Sequence, residues 1–221
     1  FHNHAQATLV PTTELQDNLR RLGFANVVRL ARAVDTLQFD PTHRDPALRA
    51  RWGLRDGELA AIHVGRIAAE KHLGLAVRTF RALQAVRPQA RFVWVGDGPA
   101  REALQRDNPD FIFCGVQRGE ALARHFASGD LFLFPSRSET FGNVTLEALA
   151  SGVPTIAFDY GAAREVLRDG VHGAAIACSA DPSSDDADFI AAAMRLAADD
   201  ALRMRIDRKS TRLNSSHIAV S

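Results

Sequence analysis

The chain alternates between two hydrophobic rhythms. Short runs that are apolar or nearly so occupy residues 7–10, 27–30, 59–64, 91–95, 111–114, 131–134, 155–158 and 174–177. Between most of them apolar residues recur every three or four positions. Leu73, Val77, Phe80 and Leu83 form one such stripe, Leu122, His125 and Phe126 a second, and Val144, Leu146, Leu149 and Ala150 a less regular third. A further helical pattern runs over 185–205. Strand, turn, helix and strand at this rhythm predict βαβ units and a parallel sheet. Strands without polar alternation suit a sheet covered by helices on both faces. The expected fold class is α/β, a doubly wound parallel sheet.

Composition narrows this only a little. The chain has 221 residues, 46% of them hydrophobic, enough for one α/β domain with a real core or slightly more. The formal net charge of +1 creates no strong field, so nucleic acid is not an expected partner. Cys114 and Cys178 lie in or beside apolar runs and read as small core residues rather than a bridge or a metal pair. The eight histidines show no metal-ligand spacing. His63 reads as a core or strand-edge residue; His72, His125 and His172 fall in helix or turn positions and read as solvated. The longest strand-like apolar run, 131–134, is too short to span a bilayer, and no secretory leader is visible, so the expected location is cytoplasmic. The chain begins at Phe1 without a methionine, and its end, "RKSTRLNSSHIAVS", loses every apolar period. The expected organisation is one domain over 1–207 followed by a non-native-looking tail over 208–221.

Parallel sheets carry functional loops at the carboxyl ends of their strands, and the ends here are chemically distinctive. Gly65-Arg66 follows one run, Gly96-Asp97-Gly98-Pro99 the next and Gly115 another, while Pro135-Ser136 leads into "SETFGNVTLEALASG". Arg66 and Lys71, five positions apart, suit a diphosphate: one as a planar fork, the other as a flexible point charge. They equally suit two solvated cations flanking Glu70. Glu139 and Glu147, with seven residues between them, bracket a Phe141-Gly142-Asn143 turn that opens a helix. A helix N-terminus attracts phosphate or sugar oxygens, and each carboxylate can accept hydrogen bonds from sugar hydroxyls. Taken alone, the same residues also read as a helix-start acid and a surface acid.

The conjunction is more specific than any of its parts. "AVDTLQFDP", "HVGRIAAEKHL", "VGDGPAREAL", "FPSRSETFGNVTLEALASGVPTIA" and "GAAREVLRDGVHGAAI" together resemble the retaining GT-B glycosyltransferases of family 4, the group 1 glycosyl transferases, over roughly residues 7–205. The wording is most similar to bacterial mannosyltransferases that use GDP-mannose and to their sulfoquinovosyl- and glucosyl-transferring relatives. The resemblance implies a Rossmann-like, C-terminal, donor-binding half of a GT-B fold, with the N-terminal half absent. It implies that Arg66 and Lys71 neutralise the donor diphosphate, that Glu139 lies near the donor hexose and that Glu147 holds the ribose. Phe141, Gly142 and Asn143 match the turn whose backbone meets sugar and phosphate, beside Gly65. Gly115 and Val116 match backbone that contacts the base, with Gln117 able to pair with a guanine edge. No cofactor and no metal are implied; the ligand is a nucleotide-sugar, GDP-mannose or a UDP-sugar. The acceptor would be a sugar or a lipid, and the missing half could bring peripheral contact with the inner membrane.

Two departures qualify the resemblance. Ala33 stands where the family usually has glycine, and no histidine here replaces the catalytic one expected in the absent half. The other readings are a UDP-sugar-dependent enzyme, a GT-B epimerase or phosphorylase relative, and a non-catalytic nucleotide-binding module. A sulfonated sugar would want an extra cation, which Arg137 or Arg164 could supply.

Overall fold

The computed structural model describes residues 2–139 and 141–206, so the expectation for the 208–221 tail lies outside the described residues. The chain opens with β1 (Thr8–Val10), α1 (Thr13–Arg21) and β2 (Val27–Arg29), then α2 (Pro46–Arg51). It continues through β3 (Ala60–Val64), α3 (Leu73–Val86), β4 (Arg91–Val95), α4 (Arg101–Asp107) and β5 (Ile112–Phe113). It ends with α5 (Gly119–Ala127), β6 (Leu131–Phe134), α6 (Asn143–Ala150), β7 (Thr155–Phe158), α7 (Ala162–Val166), β8 (Gly173–Ile176) and α8 (Pro182–Ala198).

Strands β3 to β8 form one six-stranded sheet in the order β5-β4-β3-β6-β7-β8, parallel throughout. The chain builds outward from β3 to β5, then returns to pair β6 on the other side of β3. That reversal leaves a crevice beyond the carboxyl ends of β3 and β6, the place where open α/β sheets bind ligands. The order also places both faces of the sheet under helices. Leu59, Ala61, Phe92, Trp94, Leu131, Leu133 and Phe158 pack against Phe80 and Leu83 of α3 and Phe189 and Ala193 of α8. Ile62, Val64, Val93, Val95 and Phe132 face the other way, against Trp52, Phe126, Leu149 and Ala163. Every residue of β3 and β6 is buried, which explains why those runs carry no polar alternation.

Local signals set the helix ends. Thr12 caps α1 through Leu15 N, and Asp45 caps α2 through Leu48 N with Pro46 at the first position. Asp181 caps α8 in the same way, again followed by proline. The strand ends meet closely: a Cβ on Gly96, whose φ is +141°, would sit 1.9 Å from the Gly65 carbonyl oxygen. Only glycine lets β3 and β4 deliver their loops side by side there.

Three expectations need correction. The runs at 7–10 and 27–30 are strands, but β1 and β2 pair only with each other, in a separate two-stranded parallel sheet. Their unit meets the main body largely through polar tethers to α7: Glu165 accepts from Thr13 N at 2.9 Å and pairs with Arg29 at 3.0 Å. Leu9, Val28 and Leu30 remain exposed. The helical pattern over 185–205 breaks at Asp199, which leaves the helical backbone and caps the next turn through Leu202 N at 2.8 Å. Cys178 is exposed rather than a core residue, whereas Cys114 is half-buried and packs against the core; both are free thiols.

Candidate functional site

The crevice at the reversal point is a cavity of about 470 Å³. Its lining brings together Gly65, Arg66 and Lys71 from the loop after β3, and Glu139, Phe141, Gly142 and Asn143 from the segment after β6. Seven of the ten residues singled out by the sequence therefore share one wall system. Gly115 and Val116 follow β5 at the sheet edge, outside this cavity, with Val116 exposed. Glu147 lies on α6, one turn in from the site.

The two loops are stitched together. Lys71 Nζ donates to Glu139 Oε1 at 2.6 Å and to Ser138 O at 3.1 Å, while Ser138 Oγ donates to Glu70 O at 3.3 Å. Lys71 reaches this position from a 3-10 turn, Ala69–Lys71, that ends in His72 with a left-handed φ of 53°. Such a backbone is uncommon for histidine and lets the chain reverse directly into α3. The Lys71 and Glu139 side chains keep 18% and 17% of their surface. Arg66 is the looser cation, 66% exposed and 3.5 Å from Glu70, with room to swing toward a ligand.

The segment carrying Glu139 is also held from behind. Arg137 Nη1 donates to Asp185 Oδ2 at 2.8 Å, and its guanidinium lies 3.9 Å from the centre of the Phe158 ring. Asp185 accepts in addition from Ser179 N, and these contacts hold its carboxyl below the usual carboxylate range. Arg164 is likewise committed, to Asp159 O and to Glu14. Both arginines thus already make intramolecular ion pairs, although Arg137 Nε and Nη2 keep no hydrogen-bond partner among the described residues and Arg164 stays partly exposed.

Beyond the loop, Gly142 stands at the N-cap of α6, its φ of +91° explains the glycine, and among the described residues no side chain caps the helix. The Phe141 carbonyl accepts from Ala162 N at 2.7 Å, so the turn is fixed by α7 rather than left free. Glu147 is half-buried, its carboxylate has no hydrogen-bond partner among the described residues, and desolvation raises its pKa. A carboxylate held partly out of water without a donor is ready to accept one. Gln117 donates one amide N–H to Cys114 O at 2.7 Å, which leaves its second N–H and its oxygen for a base.

Six lining residues were not among those singled out: Arg32, His63, Val64, Glu70, Phe134 and Val144. Arg32 lies in an irregular segment with no period to mark it. His63 is buried, as expected, but also lines the cavity. His125 and His172, expected to be solvated, are buried; each ring's Nδ1 meets a nearby main-chain carbonyl, Ala121 O at 2.6 Å and Val166 O at 3.0 Å. Burial lowers the pKa of both.

This sheet order, with its crevice, defines a Rossmann-like domain of the GT-B class, the C-terminal type. The chain belongs to the glycosyl transferases group 1 family, whose model matches residues 58–199. It is 40% identical to a GDP-mannose-dependent alpha-mannosyltransferase of Corynebacterium glutamicum, over 78% of this chain and 40% of that protein. It is 37% identical to the sulfoquinovosyl transferase SQD2 of Arabidopsis thaliana, over 78% of this chain and 34% of that one. The chain thus spans about two fifths or less of the length of these curated relatives. Among solved structures, the pneumococcal O-GlcNAc transferase GtfA, in complex with UDP and GlcNAc, matches its fold with a TM-score of 0.78 at 21% identity, covering 97% of this chain and 42% of that one.

Proposed function

We propose that this chain binds the nucleoside diphosphate-sugar donor of a hexosyltransferase in the crevice between the loops after β3 and β6. The observation that carries the reading is the meeting of Lys71 and Glu139 at 2.6 Å inside that crevice, a cation and a hydroxyl acceptor delivered by two different strand ends. Arg66 and Lys71 hold the diphosphate and stabilise the charge that develops on it as the glycosidic bond breaks, the role preorganised cations fill best in a partly dry site. No metal is assigned. Glu139 orients the hexose through its hydroxyls. Glu147, its carboxylate desolvated and without a partner among the described residues, takes the two ribose hydroxyls. Gly115 and Val116, at the end of β5, face the base.

In this reading the whole protein transfers the hexose to a sugar or lipid acceptor with retention of configuration, in the cytoplasm or at the inner face of the membrane. GDP-mannose is the favoured donor, supported by the identity to GDP-mannose-dependent enzymes. A UDP-sugar is the second reading, supported by the shared fold with a transferase solved with UDP. Calorimetric titration with GDP, UDP, GDP-mannose and UDP-glucose separates them. Glu147→Ala weakens free nucleotide and nucleotide-sugar alike, whereas Glu139→Ala weakens only the nucleotide-sugar. Equal loss of free-nucleotide affinity in both variants would refute the division of roles.

A further inference from the structure

His63 is the penultimate residue of β3, at the point where the sheet reverses, and it is 1% exposed. Its ring is packed against Trp94, centroids 4.6 Å apart, and lies nearly parallel to Phe134 at 6.5 Å. Nδ1 is 3.0 Å from Leu133 O. A carbonyl oxygen only accepts, so Nδ1 carries the proton. Burial pushes the pKa down to about 4, and the ring is neutral near pH 7. Nε2 is therefore a bare lone pair. It is buried and has no hydrogen-bond partner among the described residues. Buried acceptors without donors are rare and costly, and each one calls for a reason.

The surroundings supply one. His63 lines the cavity with Lys71, Glu139 and Gly65, and a Cβ placed on Gly65 would lie 3.9 Å from Nε2. The charged groups that act on the ring are Glu139 and Lys71. A phosphate oxygen near neutral pH carries negative charge and no proton, so a bare nitrogen repels it. A sugar hydroxyl brings the donor that Nε2 lacks.

Resting on the donor-site reading above, we infer that His63 is a ligand-contacting residue whose Nε2 accepts a hydrogen bond from a hydroxyl of the donor hexose. It thereby separates nucleotide-sugar from free nucleotide, and sets the hexose beside Glu139 while Arg66 and Lys71 keep the diphosphate.

The test compares His63→Phe and His63→Gln with the unaltered chain, titrated with GDP, UDP, GDP-mannose and UDP-glucose. Phenylalanine fills the aromatic packing and removes the acceptor; glutamine restores an acceptor near the Nε2 position. The expected result is an affinity for the bound nucleotide-sugar about tenfold weaker in His63→Phe, partly recovered in His63→Gln, with free-nucleotide affinity unchanged. Equal loss for nucleotide and nucleotide-sugar, or no loss for either, overturns the inference. If the unaltered chain binds none of the four ligands, the donor-site reading itself fails, and that outcome is distinct. A second measurement needs no folded variant beyond an assignment control. In ¹⁵N-histidine-labelled unaltered chain, the His63 Nε2 resonance should move upfield with nucleotide-sugar and stay in place with free nucleotide. A resonance already in the hydrogen-bonded range and unmoved by either ligand would mean that a buried water fills the role, and would overturn the inference.

Discussion

Replacing Lys71 by methionine keeps most of the side-chain stem and removes the ammonium. The loss falls on two acceptors, Glu139 Oε1 at 2.6 Å and Ser138 O at 3.1 Å. A hydrogen bond to a charged group contributes about 1.5–3 kcal/mol when well buried. An exposed ion pair contributes about 0.2–1 kcal/mol. With 18% and 17% of the two side chains still exposed, the pair lies between these cases. The expected destabilisation is about 1–2 kcal/mol, or roughly 2–8 °C in melting temperature for a domain of this size. Urea unfolding followed by the fluorescence of the buried Trp52 and Trp94 reads it directly. Adding Glu139→Gln completes a double-mutant cycle, in which the second substitution should recover about 1 kcal/mol because it removes the stranded carboxylate. Binding moves oppositely in the two single variants. Lys71→Met should bind GDP or UDP at least tenfold more weakly, about 1.4 kcal/mol. Glu139→Gln frees the lysine and removes a negative charge from the cavity, so it should bind free nucleotide at least as tightly as the unaltered chain. A coupling energy below about 0.3 kcal/mol, within the scatter of independent sites, would show that the two loops are not joined by this pair and would refute the reasoning.

Glu147→Gln should raise the melting temperature near pH 7 and leave it unchanged well below pH 4.5. Desolvation raises the folded-state pKa of this acid, so the native state favours the protonated form and loses stability as pH rises through the unfolded value; equal melting curves at both pH values would count against a desolvated carboxylate. For His63 the sign reverses. A folded pKa depressed from 6.5 to about 4 gives stability that is present above pH 6.5 and is lost as pH falls toward 4, by up to about 3 kcal/mol. His63→Phe should flatten that part of the pH–stability curve, and an unchanged slope would assign it to other groups. Arg137→Ala should weaken nucleotide-sugar binding more than free-nucleotide binding, because Arg137 anchors the segment that carries Glu139 to Asp185 and Phe158; equal weakening of both ligands would deny it that positioning role.

The strands were legible because each is a largely apolar run too short for a helix, and those of β3 to β6 are closed by glycine or proline. The cations and acids were legible because they stand at those closures. Their convergence was not: Lys71 and Glu139 are 68 positions apart, and only the pairing of β6 beside β3 brings them together. Hydropathy also could not see the hydrogen bonds that let polar residues go inside. His125 and His172 are buried because their rings meet main-chain carbonyls four and six positions away. The ion pair of Arg137 was hidden because its partner, Asp185, lies 48 positions downstream. The break at Asp199 was hidden because apolar residues continue at helical spacing on both sides of it. The separate β1–β2 sheet was hidden because its runs are as apolar as those of the main sheet, although Leu9 and Val28 stay exposed.

The central claim is that the crevice beyond β3 and β6 holds a nucleoside diphosphate. Crystals of the chain grown with GDP, and in parallel with UDP, test it most directly. The account predicts diphosphate density in the 470 Å³ cavity within hydrogen-bonding reach of Arg66 and Lys71, with the ribose hydroxyls on Glu147 and the base toward Gly115 and Val116. A nucleotide bound at another face of the sheet, or one seated in the crevice with its diphosphate turned away from both cations, would contradict it.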